Sequence, residues 1–275
     1  FVDAKSFLPE TYSIFIDKLE EVSTYFWEES KHNFTMKFNV YIAQLDKKAY
    51  EVLKNESYVT LERKIFNEGK DKVYETLAYH GVAQANMIVY SSKGVVIDHE
   101  KTNWPHVYHS GEFKPYAVLN YDSNVATYCH ELYHILGLPD LYSNTGLFGL
   151  TNYVGMSDIM STSIYTSTSS LFKHHLGWYT NTSYNPQGQR GDIEFISQTG
   201  SYVLSSPTKI GETSAYAFGL KGKEVFLVEQ RLYQDNSRFL VVQRLNTNNG
   251  TNILAKNQNE ALLLNFGNIN AKYID

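Results

Sequence analysis

The sequence predicts an α+β fold in which residues 1–180 mix helices with strands and residues 181–275 are β-rich. Three observations support this fold class. Apolar residues recur at helical spacing near the N-terminus, short alternating or continuous apolar runs follow, and beyond about 181 the runs shorten between Asn-, Ser-, Thr- and Gly-rich joints. We therefore place a domain boundary near 180 and expect a sandwich-like C-terminal region.

The elements follow in order along the chain. An amphipathic helix with Pro9 near its start is predicted over 9–29, where the apolar spacing is carried by Tyr12, Phe15, Leu19, Val22 and Phe26. The remaining patterns predict strands over 34–43, 85–91 and 116–121, a polar helix over about 57–79, and an exposed loop over 246–252. Beyond 181 the predicted strands are SYVLSS, AYAFGL, EVFLVEQR, RFLVVQRL and ALLLNF.

Composition excludes several classes of function. The 275 residues are 43% hydrophobic and carry a net charge of −5 without a basic cluster, so a nucleic-acid partner is not expected. No apolar run approaches the roughly 18 residues of a membrane span. Cys129 is the single cysteine, which excludes an internal disulfide and predicts a small buried residue.

The segment TYCHELYHILGLPDLYS, residues 127–143, carries the chemistry. In a helix over about 123–136, capped by Asp122 or Ser123, His130 and His134 lie one turn apart on one side and can reach the same metal ion. Glu131 is rotated by about 100° from the preceding His130, which suits a proton acceptor better than a ligand.

The residues after the second histidine predict a third ligand. Gly137 can take a positive φ and end the helix, and Leu138 and Pro139 then bring Asp140 back towards the histidines. Two imidazoles and one carboxylate suit a catalytic zinc ion, which keeps one position open. Two alternatives remain: Asp140 supports the site without binding metal, or His174 or His175 is the third ligand.

The pattern HELYHILGLPD resembles the metzincin clan with Asp in place of the third His, and this variant resembles the immune inhibitor A-like family of bacterial zinc metallopeptidases. Other segments agree with that family. VSTYFWEESKHNFTMKFNV resembles its N-terminal helix-to-strand segment, NWPHVYHSG its Trp-x-His segment and SDIMS its Met-turn. SLFKHHLGW and EVFLVEQR resemble a later helix and strand, so the resemblance extends from about 10 to 232.

The resemblance implies a metzincin-like catalytic domain, a twisted mixed sheet with an active-site helix, followed by the β-rich region. It implies His130, His134 and Asp140 as zinc ligands, Glu131 as general base and Met160 in a Met-turn. It also implies a substrate-binding cleft rim on the strand formed by Ala117, Val118, Leu119, Asn120 and Tyr121, with an ordinary edge strand as the alternative.

Departures from the family pattern limit two expectations. Calcium is possible, but the acidic, glycine-rich segment that would support a Ca²⁺ site is missing. Thr162 stands where some metzincins have a tyrosine, with Tyr165 nearby. Of the other polar residues, Asp158 is expected to order the Met-turn, and Glu229 and Arg231 to form an ion pair on a β-sheet face. His106 and His109 are expected to be structural or cleft-wall groups, and His174 and His175 to be surface or helix-capping histidines.

The sequence thus predicts a secreted or cell-surface zinc endopeptidase that acts, as a monomer, on protein or peptide substrates. A zinc-binding adhesion protein on a catalytically retired scaffold is one alternative. A zinc amidohydrolase of a non-peptide substrate is the other.

Overall fold

The computed structural model shows an α+β protein with two mixed sheets. It describes residues 9–40, 85–90, 105–108, 115–146, 149–152, 157–162, 165–179, 192–196, 198–219, 224–232, 237–246 and 263–266. The predicted helix over 57–79 and most of the loop over 246–252 lie outside these ranges. No helix among the described residues is long and apolar enough to cross a membrane.

Contacts between Cα atoms group the chain into two compact units. The first comprises Phe1–Val22 and Lys37–Ile135, and the second Ser23–Met36 and Leu136–Asp275. The boundary near 180 was inferred from a change in composition, and it stays a prediction.

Helix α1 spans Pro9–Glu29, as predicted. Proline is favoured at the first helical position because the backbone N–H that it lacks would have no partner within the helix there. At the other end, the chain turns through Lys31 and His32, which have φ values of 52° and 68°. The His32 amide donates to the Trp27 carbonyl at 2.8 Å, which closes the helix end.

The sheet of the first unit has the order β1–β3–β2, with β1 at Asn86–Tyr90, β2 at His106–Tyr108 and β3 at Tyr116–Asn120. Strand β1 is parallel to β3, and β2 is antiparallel to it. Strands were predicted at 85–91 and 116–121, and both are confirmed. The first four residues of β3 are buried, as expected of a strand with elements on both faces.

Lys18 on α1 holds the turn that leads from β3 into the next helix. Its Nζ donates to the carbonyls of Tyr121 and Ser123, both at 2.6 Å. The ammonium also lies over the rings of Tyr121 and Tyr128, 5.4 and 5.2 Å from their centroids. Partial burial lowers the pKa of Lys18, and the nearby carboxylates of Asp122 and Glu21 oppose that shift.

The second unit contains a hairpin, two short helices and the larger sheet. The hairpin pairs β4, Tyr142–Gly146, with β5, Gly149–Asn152, and the helices are α3, Ile159–Thr162, and α4, Ser170–His175. The five-stranded sheet has the order β10–β9–β8–β7–β6. Its strands are Ile193–Phe195 (β6), Ala215–Gly219 (β7), Glu224–Leu232 (β8), Arg238–Asn246 (β9) and Leu263–Phe266 (β10).

This sheet confirms that the C-terminal region is rich in strands. Adjacent strands are antiparallel except β6 and β7, which are parallel. A sandwich would need a second sheet facing this one, so that part of the expectation stays a prediction.

Two predicted strands, 34–43 and 201–206, do not form in the described residues, and residues 41–43 lie outside them. Residues 34–40 alternate between half-buried and exposed, as an extended chain does, but they pair with no strand in the described part of the protein. Residues 201–206, SYVLSS, form no strand either. Both runs have strand-like composition, but strand formation also requires a hydrogen-bonded neighbour, which composition does not report.

Candidate metal centre

The helix that carries the two histidines, α2, spans Val125–Ile135. It begins two residues later than expected, because its cap is Asn124 rather than Asp122 or Ser123. The Asn124 Oδ1 atom accepts from the Thr127 amide at 2.8 Å and from the Thr127 hydroxyl at 3.0 Å. This is the normal arrangement of an N-cap side chain with the third helical residue.

His130 and His134 meet on one side of α2, as their spacing predicts. Their Nε2 atoms are 3.1 Å apart, and the rings are nearly perpendicular, at 89°. His130 is buried and His134 is half-buried. A tetrahedral zinc ion with Zn–N distances of about 2.0–2.1 Å separates two such nitrogens by about 3.3 Å. The separation therefore suits a shared ion, although it also suits a hydrogen bond between the rings.

Asp140 is the third potential ligand that the structure brings to these histidines. One ligand atom from each of His130, His134 and Asp140 can be chosen so that all three lie within 4.8 Å of one another. Gly137 makes this return possible: its φ is +96°, the positive φ that was expected of it. The Asp140 side chain is exposed, so its carboxylate is accessible from solvent.

Replacing Gly137 by Ala should cost about 1–2 kcal/mol of unfolding free energy, because an L-residue is strained at this φ. A Cβ atom there would meet nothing within 4 Å, so the cost is backbone strain rather than a clash. Urea denaturation would measure it. Gly200→Ala is the matched control, since Gly200 has no positive φ and its Cβ would make ordinary contacts at 3.5 Å with Tyr202. Equal unfolding free energies for the two variants would contradict the prediction.

Glu131, the candidate general base, lies between the two histidines in sequence and is only 4% exposed. A carboxylate is seldom buried to this extent without a specific role or partner. Its position on α2 sets it about 100° around the helix axis from His130 and about 60° from His134. The arrangement separates the metal-binding atoms from a carboxylate able to accept a proton.

The Met160 backbone is hydrogen-bonded to Leu141, the residue that follows Asp140. The Leu141 amide donates to the Met160 carbonyl at 2.8 Å, and the Met160 side chain is fully buried. Asp158 orders the backbone at the start of α3, because its Oδ1 accepts from the Met160 amide at 2.9 Å. That this segment is a Met-turn stays a prediction. The side chain of Thr162 lies outside what the structure describes.

The predicted Glu229–Arg231 ion pair is confirmed and forms part of a larger buried group. The Arg231 Nη2 atom lies 2.7 Å from Glu229, and its Nη1 atom lies 3.0 Å from Asp158. All three side chains are almost completely buried. Complete burial raises the pKa of the Asp158 carboxyl, and the positive charge of Arg231 opposes that rise.

A second buried pair lies in the same unit. The Lys173 ammonium on α4 is 3.0 Å from the Glu29 carboxylate, at the end of α1. Burial raises the pKa of Glu29, and the Lys173 charge opposes the shift. The pair could not be foreseen from the sequence, because Glu29 and Lys173 are far apart in the chain and no local pattern links them.

The predicted cleft rim changes once the strand order is known. Strand β3 is the middle strand, so the alternative of an ordinary edge strand is wrong. Ala117 and Val118 have neighbouring strands on both sides, β1 and β2, and therefore cannot offer a vacant edge to an extended substrate. For Leu119, Asn120 and Tyr121 the rim assignment stays a prediction.

The remaining histidines do not join the cluster among the described residues. His174 Nδ1 lies 2.8 Å from the Tyr179 carbonyl oxygen, which ties the end of α4 to the following chain. His175 is exposed, and His106 lies in β2 opposite Val118. His109 lies outside the described residues.

Comparison of the chain with protein-family models, with curated proteins and with solved structures finds no match. The fold and the cluster define the protein only as an α+β chain with a candidate three-residue metal centre.

The donor set fits zinc better than it fits magnesium or calcium. Two imidazole nitrogens favour zinc over magnesium and calcium, which prefer all-oxygen coordination. Three protein ligands leave one position for water or substrate, as catalytic zinc sites require, whereas structural zinc sites use four.

Proposed function

We propose that this protein is a zinc-dependent endopeptidase of the metzincin-like, immune inhibitor A-like type. The observation that carries the proposal is the convergence of His130, His134 and Asp140, with the buried Glu131 beside the first of them. These three side chains would hold the ion, and Met160 would belong to the Met-turn. The proposal includes secretion or surface exposure, a catalytic region over 1–180 and a β-rich accessory region over 181–275.

Zinc in such a site supplies Lewis acidity, which polarises a carbonyl and acidifies water. Glu131 accepts the proton of the attacking water on its carboxylate. It then donates that proton to the nitrogen of the leaving amine, so the same side chain acts first as base and then as acid. Burial of the Glu131 side chain limits the number of conformations it can adopt.

Backbone pairing with an extended substrate requires an open sheet edge. Strand β2 lies at the end of the described β1–β3–β2 sheet, with β3 on one side only. We therefore move the proposed backbone pairing with substrate from Ala117 and Val118 to β2, His106–Tyr108.

The test is cleavage of an unfolded, casein-like protein by the purified chain. The zinc-loaded chain should cleave it, chelation should abolish cleavage, and one equivalent of zinc should restore it. Zinc binding without cleavage of proteins would contradict the proposal. Hydrolysis of small amides would then indicate an amidohydrolase, and no hydrolysis at all would favour a retired zinc-binding scaffold.

A further inference from the structure

A continuous series of contacts runs from Arg231 to the residue after Asp140. The Arg231 Nη1 atom donates to Asp158 Oδ2 at 3.0 Å and also to the Ser157 carbonyl. Asp158 uses its other oxygen, Oδ1, to accept from the Met160 amide at 2.9 Å. Arg231 and Asp158 are separated by 73 residues in sequence, so the contact joins β8 to the Met160 segment.

The series ends beside the candidate ligand. The Met160 carbonyl accepts from the Leu141 amide at 2.8 Å, and Leu141 directly follows Asp140. Asp158, Met160 and Arg231 are each fully buried, whereas Asp140 is exposed. The residue that follows the exposed Asp140 is thus hydrogen-bonded to a buried segment.

We propose that Asp158, held by Arg231, is a positioning residue that fixes Asp140 for metal binding. The inference rests on the proposed zinc site and assigns it a supporting pair, Asp158 and Arg231, whose contact with each other the sequence does not indicate. Asp158 does not touch the metal. It fixes the Met160 backbone, which in turn fixes the Leu141 amide and therefore the direction from which Asp140 approaches.

The support that Asp158 provides should have a measurable effect on zinc affinity. An exposed carboxylate on an unanchored segment loses conformational freedom when it binds a metal, and that loss weakens the affinity. Anchoring the segment beforehand removes much of the cost. Replacing residues that support metal ligands typically weakens metal binding by about 10–100-fold.

Glu229 provides a matched control, because it contacts the other terminal nitrogen of the Arg231 guanidinium. It lies 2.7 Å from Arg231 Nη2, is equally buried, and accepts from the Ser170 amide at 2.7 Å. Glu229→Gln and Asp158→Asn each remove one buried negative charge beside Arg231. Only Asp158→Asn alters a side chain that contacts Met160.

The experiment measures zinc affinity of the full chain by competition with a coloured chelator, alongside thermal denaturation. We expect Asp158→Asn to weaken zinc binding by about 10-fold or more and Glu229→Gln by less than about 3-fold, at similar losses of thermal stability. In an Asp140→Ala background, Asp158→Asn should have no further effect on affinity. The cobalt-substituted Asp158→Asn chain should also show an altered visible spectrum.

Equal losses of zinc affinity in the two variants would overturn the proposal, since they would show that losing either buried charge destabilises the whole unit. A full effect of Asp158→Asn in the Asp140→Ala background would also overturn it. A parent chain that binds no zinc would instead disprove the proposed function.

A second measurement needs no variant, in case Asp158→Asn does not fold. Amide hydrogen exchange of the metal-free parent chain should show Leu141 already protected, because the proposed anchor forms before metal binds. Rapid exchange of the Leu141 amide, slowed only by zinc, would overturn the proposal.

Discussion

Glu131→Gln should hydrolyse an unfolded protein at least about 100-fold more slowly than the parent chain while binding zinc equally well. The substitution preserves the size and polarity of the side chain but removes its ability to accept a proton. Because Glu131 is not among the three clustered ligand residues, its replacement should leave the metal-binding atoms unchanged. Initial rates of cleavage and bound zinc per chain would be measured on the same preparations.

The control for this prediction is Glu28→Gln, which removes an exposed carboxylate from α1. It should retain the parent rate, because a surface carboxylate there has no part in the proposed chemistry. If Glu131→Gln kept more than a tenth of the parent rate with zinc fully bound, another group would have to be the base. If it lost its zinc, Glu131 would have to be reassigned as a ligand or as a structural support.

The second large effect is expected for Asp140→Ala, which should weaken zinc binding by at least about 100-fold. Zinc sites derive about 10–16 kcal/mol from four ligands, so each ligand contributes on the order of 3 kcal/mol. The Asp140 side chain is exposed, so its removal should leave no cavity and change the stability of the metal-free chain little. Chelator competition measures the affinity, and urea denaturation of the metal-free chain measures the stability.

Asp17→Ala is a suitable comparison, because Asp17 is an exposed aspartate on α1 outside the cluster. It removes the same charge from the protein and should leave zinc affinity unchanged. Parent-like affinity in Asp140→Ala would eliminate Asp140 as a ligand. The two histidines would then need a different third donor.

Local patterns were sufficient for much of the site. The spacing of His130 and His134 predicts their meeting because helix geometry brings residues four apart onto one side. Gly137 marks the end of α2 because glycine accepts its φ of +96° without strain. The Asn124 cap was missed because Asp122, Ser123 and Asn124 are all good capping residues, and only the exact start of the helix distinguishes them.

Contacts between distant parts of the chain could not be predicted in the same way. Nothing in the sequence indicates that Arg231 reaches Asp158, since such a contact depends on how β8 is placed within its unit. The position of β3 could have been foreseen in part. Its run YAVLN is continuous rather than alternating, which is typical of a strand buried on both faces and argues against an edge.

The burial of the charged pairs determines how they respond to ionic strength. Dissolved salt screens charges that face solvent, and it acts much less on pairs from which solvent is excluded. The Arg231 pairs with Asp158 and Glu229 have exposures of 0–1%, whereas the Lys209–Glu212 pair is 60% and 40% exposed. We therefore expect a high salt concentration to weaken the Lys209–Glu212 pair. The buried Arg231–Asp158 pair, which supports the Met160 segment, should persist at high and at low salt.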